Sequence, residues 1–321
     1  ERNGLRCELC AVNCFISKEN LGSCLVRKNV NNKLFTMNYG RLTGINIDNV
    51  ERRPLYHFFP GSTTLAIAGQ GNDDWQIYTD RLPKAPTKEF TPESIVKMAE
   101  KEKVDSISYT HAEPTIFYEF VFKTAKLAAR SNIKNIFVTN GMMTQEAIKR
   151  ISKYIDAVVV NFVGSGDPDF MSKYSVIPNV DPILANLKQW KKQRVHIEIT
   201  NTIIPQIGDN IERCKKLCEW IAELMPTIPF HILQFHPTIY TKFSDLPFTP
   251  IATLEKCAEE ANKAGLRYVY IGNTIEPHQA ENTFCYNCRE LLVQRIAYKM
   301  KKNSLLKDRC PNCGVRIDVV S

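Results

Sequence analysis

The 321 residues are 44% hydrophobic and 24% charged, which is typical of an ordinary globular protein. No run of about 18 apolar residues occurs, so a membrane-spanning helix is excluded. The N-terminus shows no charged-then-apolar secretion signal. We therefore expect a cytoplasmic protein without a membrane partner. Because the sequence starts without Met and stops abruptly, we also expect both ends to be trimmed.

The N-terminal segment, residues 1–60, carries the first of two cysteine clusters. Eight of the 11 cysteines fall into these clusters, one near each end of the chain. In a chain with enough apolar strands and helices for a core, such clusters are typical of metal ligands in a reducing compartment rather than of disulfides. The first cluster is Cys7, Cys10, Cys14 and Cys24. Its spacing fits either zinc or an iron–sulfur cluster. Arg27, which follows, is either an exposed charge or a bidentate contact to an anion.

The middle segment, residues 61–276, alternates between apolar, β-branched runs and runs of helical periodicity. The predicted strands are Thr64–Ala68, Asp105–Tyr109, Asn135–Thr139, Ala157–Phe162, His196–Ile203, Phe230–Phe235 and Tyr268–Ile271. The predicted helices are Thr91–Lys103, Thr115–Arg130, Thr144–Tyr154, Asp181–Gln193, Asn210–Met225 and Pro250–Ala264. Alternation of this kind predicts parallel strands. Without a Gly-x-Gly-x-x-Gly turn, the pattern favours an α/β fold with a partial or full (β/α) barrel over an open doubly wound sheet.

Functional residues of such a barrel gather at its C-terminal face, where strands end and loops begin. Seven predicted strand ends are rich in small and polar residues that suit a polar ligand. They are Gly69–Asp74, His111–Pro114, Thr139–Gly141, Val163–Asp167, Thr200–Pro205, His236–Pro237 and Gly272–Asn273. Glycine, asparagine and proline also end strands without binding anything. The site prediction therefore depends on seven such ends sharing one rim.

The C-terminal segment, residues 277–321, carries two Cys-x2-Cys pairs, Cys285 with Cys288 and Cys310 with Cys313. Two such pairs place four thiolates around one Zn²⁺ in a zinc ribbon, with rubredoxin-like iron as the minor alternative. About 40 residues bury too little surface to fold unaided, whereas a structural zinc supplies about 10–16 kcal/mol. Within the segment, the stretch from Cys285 to Arg316 has eight basic and two acidic residues and so carries +6 of the formal net charge of +8. Its basic residues are predicted either to contact RNA or an acidic protein or to be merely solvated.

Several motifs taken together resemble one family over nearly the whole chain. They are the N-terminal cysteines with Gly22 and Arg27, Tyr39-Gly40, the run from Arg53 to Ser62, and the C-terminal run from Asn282 through both cysteine pairs. This combination resembles the AmmeMemoRadiSam-system radical S-adenosylmethionine (SAM) enzymes, which are related to pyruvate formate-lyase activating enzymes.

The resemblance implies a barrel that binds SAM beside a [4Fe–4S] cluster. It implies an enzyme that takes electrons from a donor such as a ferredoxin or flavodoxin, cleaves SAM reductively and releases a 5′-deoxyadenosyl radical. The substrate would be a protein, an RNA or a small molecule. It further implies that Glu113, on the His111 loop, meets the SAM amino group. Asn140 and Gly141 would belong to the next strand end of the site, and Thr200 would line the ribose and carboxylate. No catalytic residue is assigned.

The loop after the first barrel strand departs from this family. The family carries Cys-x3-Cys-x2-Cys there, because three thiolates leave one iron open for SAM, whereas Ala68 to Ile77 contains no cysteine. Either a cluster loop between Ala68 and Trp75 is missing from the printed sequence, which we favour, or it has been lost. The alternative function is then a non-catalytic barrel that binds a ligand or partner and has structural zinc. The reversed spacing of the N-terminal cysteines argues against their replacing the motif.

Overall fold

The N-terminal part contributes two small hairpins and one long strand to the fold. The computed structural model describes residues 4–71, 86–237 and 242–321. Strand β1 (Gly4–Arg6) pairs with β2 (Phe15–Ser17), and β3 (Arg27–Val30) pairs with β4 (Lys33–Thr36). The long strand β5 (Arg41–Asn49) pairs antiparallel with β6 (Thr63–Gly69), the first strand of the main sheet. The sequence boundaries 1–60, 61–276 and 277–321 stay predictions.

Strands and helices then alternate in the order that the sequence predicts. The further strands of the sheet are β7 (Lys88–Glu89), β8 (Ser106–Tyr109), β9 (Lys134–Thr139), β10 (Ala157–Val163), β11 (His196–Ile203), β12 (Phe230–Gln234) and β13 (Val269–Gly272). The helices are α1 (Pro92–Lys101), α2 (Tyr118–Arg130), α3 (Gln145–Ile151), α4 (Pro168–Tyr174), α5 (Asp181–Lys192), α6 (Ile211–Leu224) and α7 (Ile251–Lys263).

The sheet is an open, partial barrel. Its strand order is β13-β12-β11-β10-β9-β8-β6-β5-β7. The strands from β13 to β6 are parallel and neighbours in chain order, and β5 and β7 add an antiparallel edge. Parallel neighbours in chain order need right-handed crossovers, which the helices provide. The predicted α/β fold and partial barrel are therefore confirmed.

Local sequence signals explain where the helices begin and which face they bury. Helix α1 starts with a capping box, in which Thr91 and Ser94 each accept a hydrogen bond from the backbone N–H of the other. Its buried face is formed by Ile95, Val96 and Ala99, which recur at helical spacing. This face packs in the large core between the helices and the outer side of the sheet.

The segment from Val50 to Ser62 forms the floor of the barrel. Leu55 and Phe58 pack in a second core with Ile136 of β9 and with Val159 of β10, on the inner side of the sheet. The backbone N–H groups of Tyr56 and His57 donate to the buried carboxylate of Glu198 in β11. The lower part of the barrel is therefore filled by a chain segment, and its upper part is left to the strand ends.

The C-terminal segment packs against the same floor. Strand β14 (Thr283–Phe284) pairs with β15 (Leu291–Ile296), which pairs with β16 (Lys299–Asn303). Arg295 of β15 is buried. It donates to the carbonyl of Tyr56 at 2.9 Å and lies 4.1 Å from the centre of that ring. Arg295 therefore makes its contacts inside the protein, and it is not one of the basic residues that could bind RNA.

None of the helices within residues 4–71, 86–237 and 242–321 combines the length and the apolar composition that a membrane crossing requires. The cytoplasmic location stays a prediction.

Candidate functional site

The upper interior of the barrel is open to solvent. Side chains alternate between the two faces of a strand, so the residues in step with Ile136 and Val159 point into the barrel. Among these, Val138, Asn161, Thr202 and Leu233 are partly exposed, although their outward-facing neighbours Phe137, Phe162, Ile203 and Ile232 are buried under the helices. A strand position that faces inward and still reaches solvent lines a cavity. The mouth of the barrel therefore offers small and polar side chains to a ligand.

One wall of this mouth is built around Glu113. Its carboxylate caps the short 3-10 turn Pro114–Phe117 by accepting hydrogen bonds from the N–H of Thr115 at 3.1 Å and from its hydroxyl at 2.5 Å. It also accepts one from the hydroxyl of Thr139 at 2.8 Å and one from the N–H of Asn140 at 2.7 Å. Burial raises the pKa of Glu113, and these four bonds oppose that shift. The carboxylate thus ties the end of β8 to the end of β9. Its predicted contact with the SAM amino group stays a prediction.

Asn140 and Gly141 form a tight turn beside that carboxylate. The side-chain oxygen of Asn140 accepts from the N–H of Met142 at 3.0 Å, and the carbonyl of Gly141 accepts from Asn186 of α5 at 2.8 Å. Gly141 has φ +77°, and a Cβ at this position would lie 2.7 Å from Cγ2 of Ile183. Only glycine meets both conditions. The structure therefore brings Glu113, Asn140 and Gly141 together, as the sequence predicts.

Thr200 lies further round the barrel, on β11. It is opposite Asn161 in the parallel register, and its hydroxyl donates to Oδ1 of Asn161 at 2.8 Å. Asn161 is not among the site residues that the sequence predicts. The period-2 pattern of β10, which faces Val159 and Asn161 the same way, is the signal that could have found it.

His111 is exposed at the end of β8 and has φ +62°. Its Nε2 accepts a hydrogen bond of 3.1 Å from the guanidinium of Arg53, which also pairs with Asp48. Arg53 is buried and lies just before the floor segment residues Leu55 and Phe58. The structure thus places the buried cation of Arg53 beside His111. The sequence resemblance includes Arg53 but assigns it no role.

The N-terminal cysteines lie on the rim of the barrel. Cys7, Cys10, Cys14 and Cys24 line one cavity together with Thr115 and Ile116 of the turn that Glu113 caps. Cys10 forms an antiparallel bridge with Met143, two residues beyond Gly141. Arg27 is buried beside them, and its guanidinium makes a bidentate contact of 2.7 and 3.1 Å with Glu119 of α2. The anion that Arg27 contacts is therefore a carboxylate of this chain.

The C-terminal cysteines converge at the opposite end of the barrel. Cys285 and Cys313 have Sγ atoms 3.6 Å apart, as do Cys288 and Cys310, and all four atoms lie within 4.8 Å of one another. Tetrahedral thiolates at the usual Zn–S length of about 2.3 Å are about 3.8 Å apart. Each Cys-x2-Cys pair forms a tight turn, since the N–H of Arg289 donates to the carbonyl of Cys285 and the N–H of Gly314 donates to the carbonyl of Cys310. The predicted ribbon geometry is present, and zinc itself belongs to the proposals.

Comparison with known proteins identifies the family. The model of the Radical SAM superfamily matches residues 78–221. The protein MJ0808 of Methanocaldococcus jannaschii is 35% identical over 328 aligned positions, which cover 99% of this chain and 96% of the relative. This chain belongs to the radical SAM superfamily.

A solved structure of the superfamily shares this fold. A radical SAM methyltransferase from Sphaerobacter thermophilus is similar over 67% of each chain, with a TM-score of 0.53 and 13% identity. A domain of a pyruvate-formate lyase-activating enzyme from Bacteroides vulgatus aligns with 52% of this chain and 99% of its own length, with a TM-score of 0.43 and 16% identity.

The superfamily implies a [4Fe–4S] cluster at the end of the first barrel strand. Three thiolates should follow the first barrel strand, β6. Gln70 and Gly71 are the described residues there, and no cysteine occurs in the sequence between Cys24 and Cys214. Asn72 to Trp75, where a hidden or lost cluster loop is predicted, lie outside the described residues. The residues present therefore do not fit a SAM-binding [4Fe–4S] cluster at this strand end.

Proposed function

We propose that this chain binds SAM in the mouth of its barrel. One observation carries the proposal: inward-facing Val138, Asn161, Thr202 and Leu233 reach solvent above a floor closed by Leu55 and Phe58. The adjacent strands β10 and β11 thus present polar side chains, and β9 and β12 on either side present apolar ones, a mixture that suits an adenosyl group attached to an amino acid. Membership of the radical SAM superfamily supports SAM as the ligand.

Direct binding tests this proposal. Calorimetric titration of the full chain with SAM is expected to give saturable binding of about one SAM per chain. Asn161→Leu removes a polar group from the mouth and should weaken binding about tenfold, the effect of one lost hydrogen bond of about 1.4 kcal/mol. Asn262→Leu makes the same change at an exposed position of α7 and should leave the affinity unchanged. The absence of saturable binding at millimolar SAM, or equal affinities of the two variants, would contradict the proposal.

Reductive cleavage of SAM to a 5′-deoxyadenosyl radical is the second candidate function. One observation favours it: the model of the Radical SAM superfamily matches residues 78–221, which include strands β8 to β11 around the proposed SAM site. Peptide mapping across Ala68–Trp75 of the natural protein decides whether the cysteines of the Cys-x3-Cys-x2-Cys motif exist.

The products of SAM distinguish the two functions. The natural protein is reconstituted with iron and sulfide without oxygen, reduced with dithionite and given SAM. Formation of 5′-deoxyadenosine, measured by mass spectrometry, would establish cleavage. SAM binding without this product would make the chain a ligand-binding barrel. The electron donor, the protein, RNA or small-molecule substrate, and the zinc of the ribbon are further proposals that these measurements leave independent.

A further inference from the structure

The four N-terminal cysteines line a cavity at the mouth of the barrel, and their geometry distinguishes them from the zinc ribbon. In the part of the chain that the structure describes, the C-terminal cysteines form the only set of three or more potential ligands with all ligand atoms within 4.8 Å of one another. Cys7, Cys10, Cys14 and Cys24 nevertheless share one cavity. Their thiols thus surround a common space but are spread more widely than the C-terminal set.

This wider spread fits a single zinc poorly. Four thiolates at about 2.3 Å from one Zn²⁺ lie about 3.8 Å apart. The thiols of the N-terminal set surround a common space but lie further from one another than the C-terminal set. A centre with several metal ions suits this spread better, because each thiolate then binds a different ion. Iron–sulfur clusters are centres of this kind and are held by four cysteine thiolates.

The surroundings of the cavity suit a buried, negatively charged centre. Arg27 lines the cavity and is buried, so a cation that is paired with Glu119 stands beside the thiolates. Gly22 lines it as well, and a Cβ at this position would lie 3.7 Å from Sγ of Cys14 and 3.0 Å from Cδ1 of Ile16. The close neighbour at Gly22 is therefore Ile16, and the sulfur of Cys14 lies at ordinary van der Waals distance.

Backbone hydrogen bonds hold this loop against the proposed SAM site. The N–H of Ala11 donates to the carbonyl of Met142 at 2.8 Å, and the N–H of Thr144 donates to the carbonyl of Leu9 at 3.0 Å. On the other side of the cavity is Thr115, whose hydroxyl and N–H donate to the carboxylate of Glu113. The cavity therefore lies against the turn that Glu113 caps, at the end of β8.

We infer that Cys7, Cys10, Cys14 and Cys24 bind an accessory iron–sulfur cluster at the rim of the barrel. Four thiolates would saturate a [4Fe–4S] cluster, so no iron would be open to SAM, and this centre is not a substitute for the missing motif. The inference deepens the proposed function, since it places a redox-capable group beside the proposed SAM site. The metal site itself is independent of SAM.

Metal and sulfide analysis of two matched double variants tests the inference. After anaerobic reconstitution with iron, sulfide and zinc, the full chain is expected to hold about four irons, about four acid-labile sulfides and about one zinc. Cys7→Ser with Cys14→Ser should lose the iron and sulfide and keep the zinc. Cys288→Ser with Cys313→Ser should lose the zinc and keep the iron and sulfide. Far-UV circular dichroism reports whether each variant is folded.

The wild-type protein alone also decides the question if a variant fails to fold. Iron and sulfide in equal amounts, with the Mössbauer spectrum of a cluster, would support the inference. Two zinc ions per chain without labile sulfide, or full iron retention in the folded N-terminal variant, would overturn it. These measurements contain no SAM. A failure of SAM binding therefore leaves them unchanged, and a failure to bind iron leaves the calorimetric test of SAM binding intact.

Discussion

The buried carboxylate of Glu198 should be the most sensitive single position in the floor of the barrel. Its Oε1 accepts from the N–H of His57 at 2.7 Å and from the ring of His196 at 3.1 Å. Its Oε2 accepts from the N–H of Tyr56 at 3.0 Å and from the ring of His231 at 2.7 Å. Burial favours the neutral acid, but the hydrogen bonds from the two histidines outweigh it and hold the pKa of Glu198 well below its usual range.

The substitution Glu198→Gln keeps the shape of this side chain and changes one acceptor into a donor. Whichever oxygen becomes NH2, one backbone N–H loses its acceptor, because the main chain cannot reverse its donor as a histidine ring can. A hydrogen bond to a charged group contributes about 1.5–3 kcal/mol, and an unsatisfied buried donor costs about 1–3 kcal/mol. We therefore expect Glu198→Gln to lower the free energy of unfolding by about 3–5 kcal/mol at pH 7, as for a broken buried ion pair.

Urea unfolding followed by circular dichroism measures this difference. The control is Glu219→Gln on the exposed side of α6, which should change the free energy of unfolding by less than about 0.5 kcal/mol. A depressed carboxylate pKa stabilises the fold above the pKa of the unfolded chain and loses that contribution as the pH falls. The difference between Glu198→Gln and the wild type should accordingly shrink in acid. A loss below about 1 kcal/mol at pH 7 would refute the reasoning.

Three further changes probe the floor, the ribbon and the rim. Burial lowers the pKa of His57 to about 4. Between about pH 6.5 and 4 the unfolded chain therefore binds a proton at His57 that the folded chain does not bind. The free energy of unfolding should fall by about 1.4 kcal/mol for each pH unit of acidification in this range. In His57→Gln, unfolding titrations over this range should lack that slope. Cys310→Ser should remove about one zinc per chain by elemental analysis and expose the C-terminal segment to protease, and full zinc retention would contradict the ribbon. Gly141→Ala should destabilise the chain by at least about 1 kcal/mol more than Gly265→Ala in urea unfolding. Both residues have positive φ, but only Gly141 lacks room for a Cβ, so equal losses would show that packing at the rim is unimportant.

The regular elements were predictable because their periodicity is local. The predicted strand His196–Ile203 matches β11 end for end, and the other barrel strands agree with the structure to within two residues at each end. Helix α4 was missed, since its seven residues lie between a glycine-rich turn and a loop and show less than two turns of pattern. The edge strand β5 was missed because it precedes the alternating units and is largely exposed.

The contacts between distant segments were not predictable from pattern. Nothing in the local sequence of Leu55 and Phe58 shows that they fill the barrel from below, because that requires knowing which strand faces them. Likewise, Glu113 was recognisable as an acid at a strand end. Its four hydrogen bonds depend on Thr139 and Asn140, which come from the next unit along the chain.

The pairing of the chain's last residues with the floor has a consequence for biosynthesis. The N–H of Val320 donates to the carbonyl of His57 at 2.8 Å, and the carbonyl of Val320 accepts from the N–H of Phe59 at 2.7 Å. The nearby contact of His57 with Asp318 joins positions 261 residues apart, so closing it requires ordering most of the chain. During translation the helices can assemble unit by unit, but the base of the barrel stays unsealed until Asp318 and Val320 have left the ribosome. We therefore expect nascent chains that stall before Asp318 is exposed to leave Tyr56 and Tyr268 accessible to chaperones.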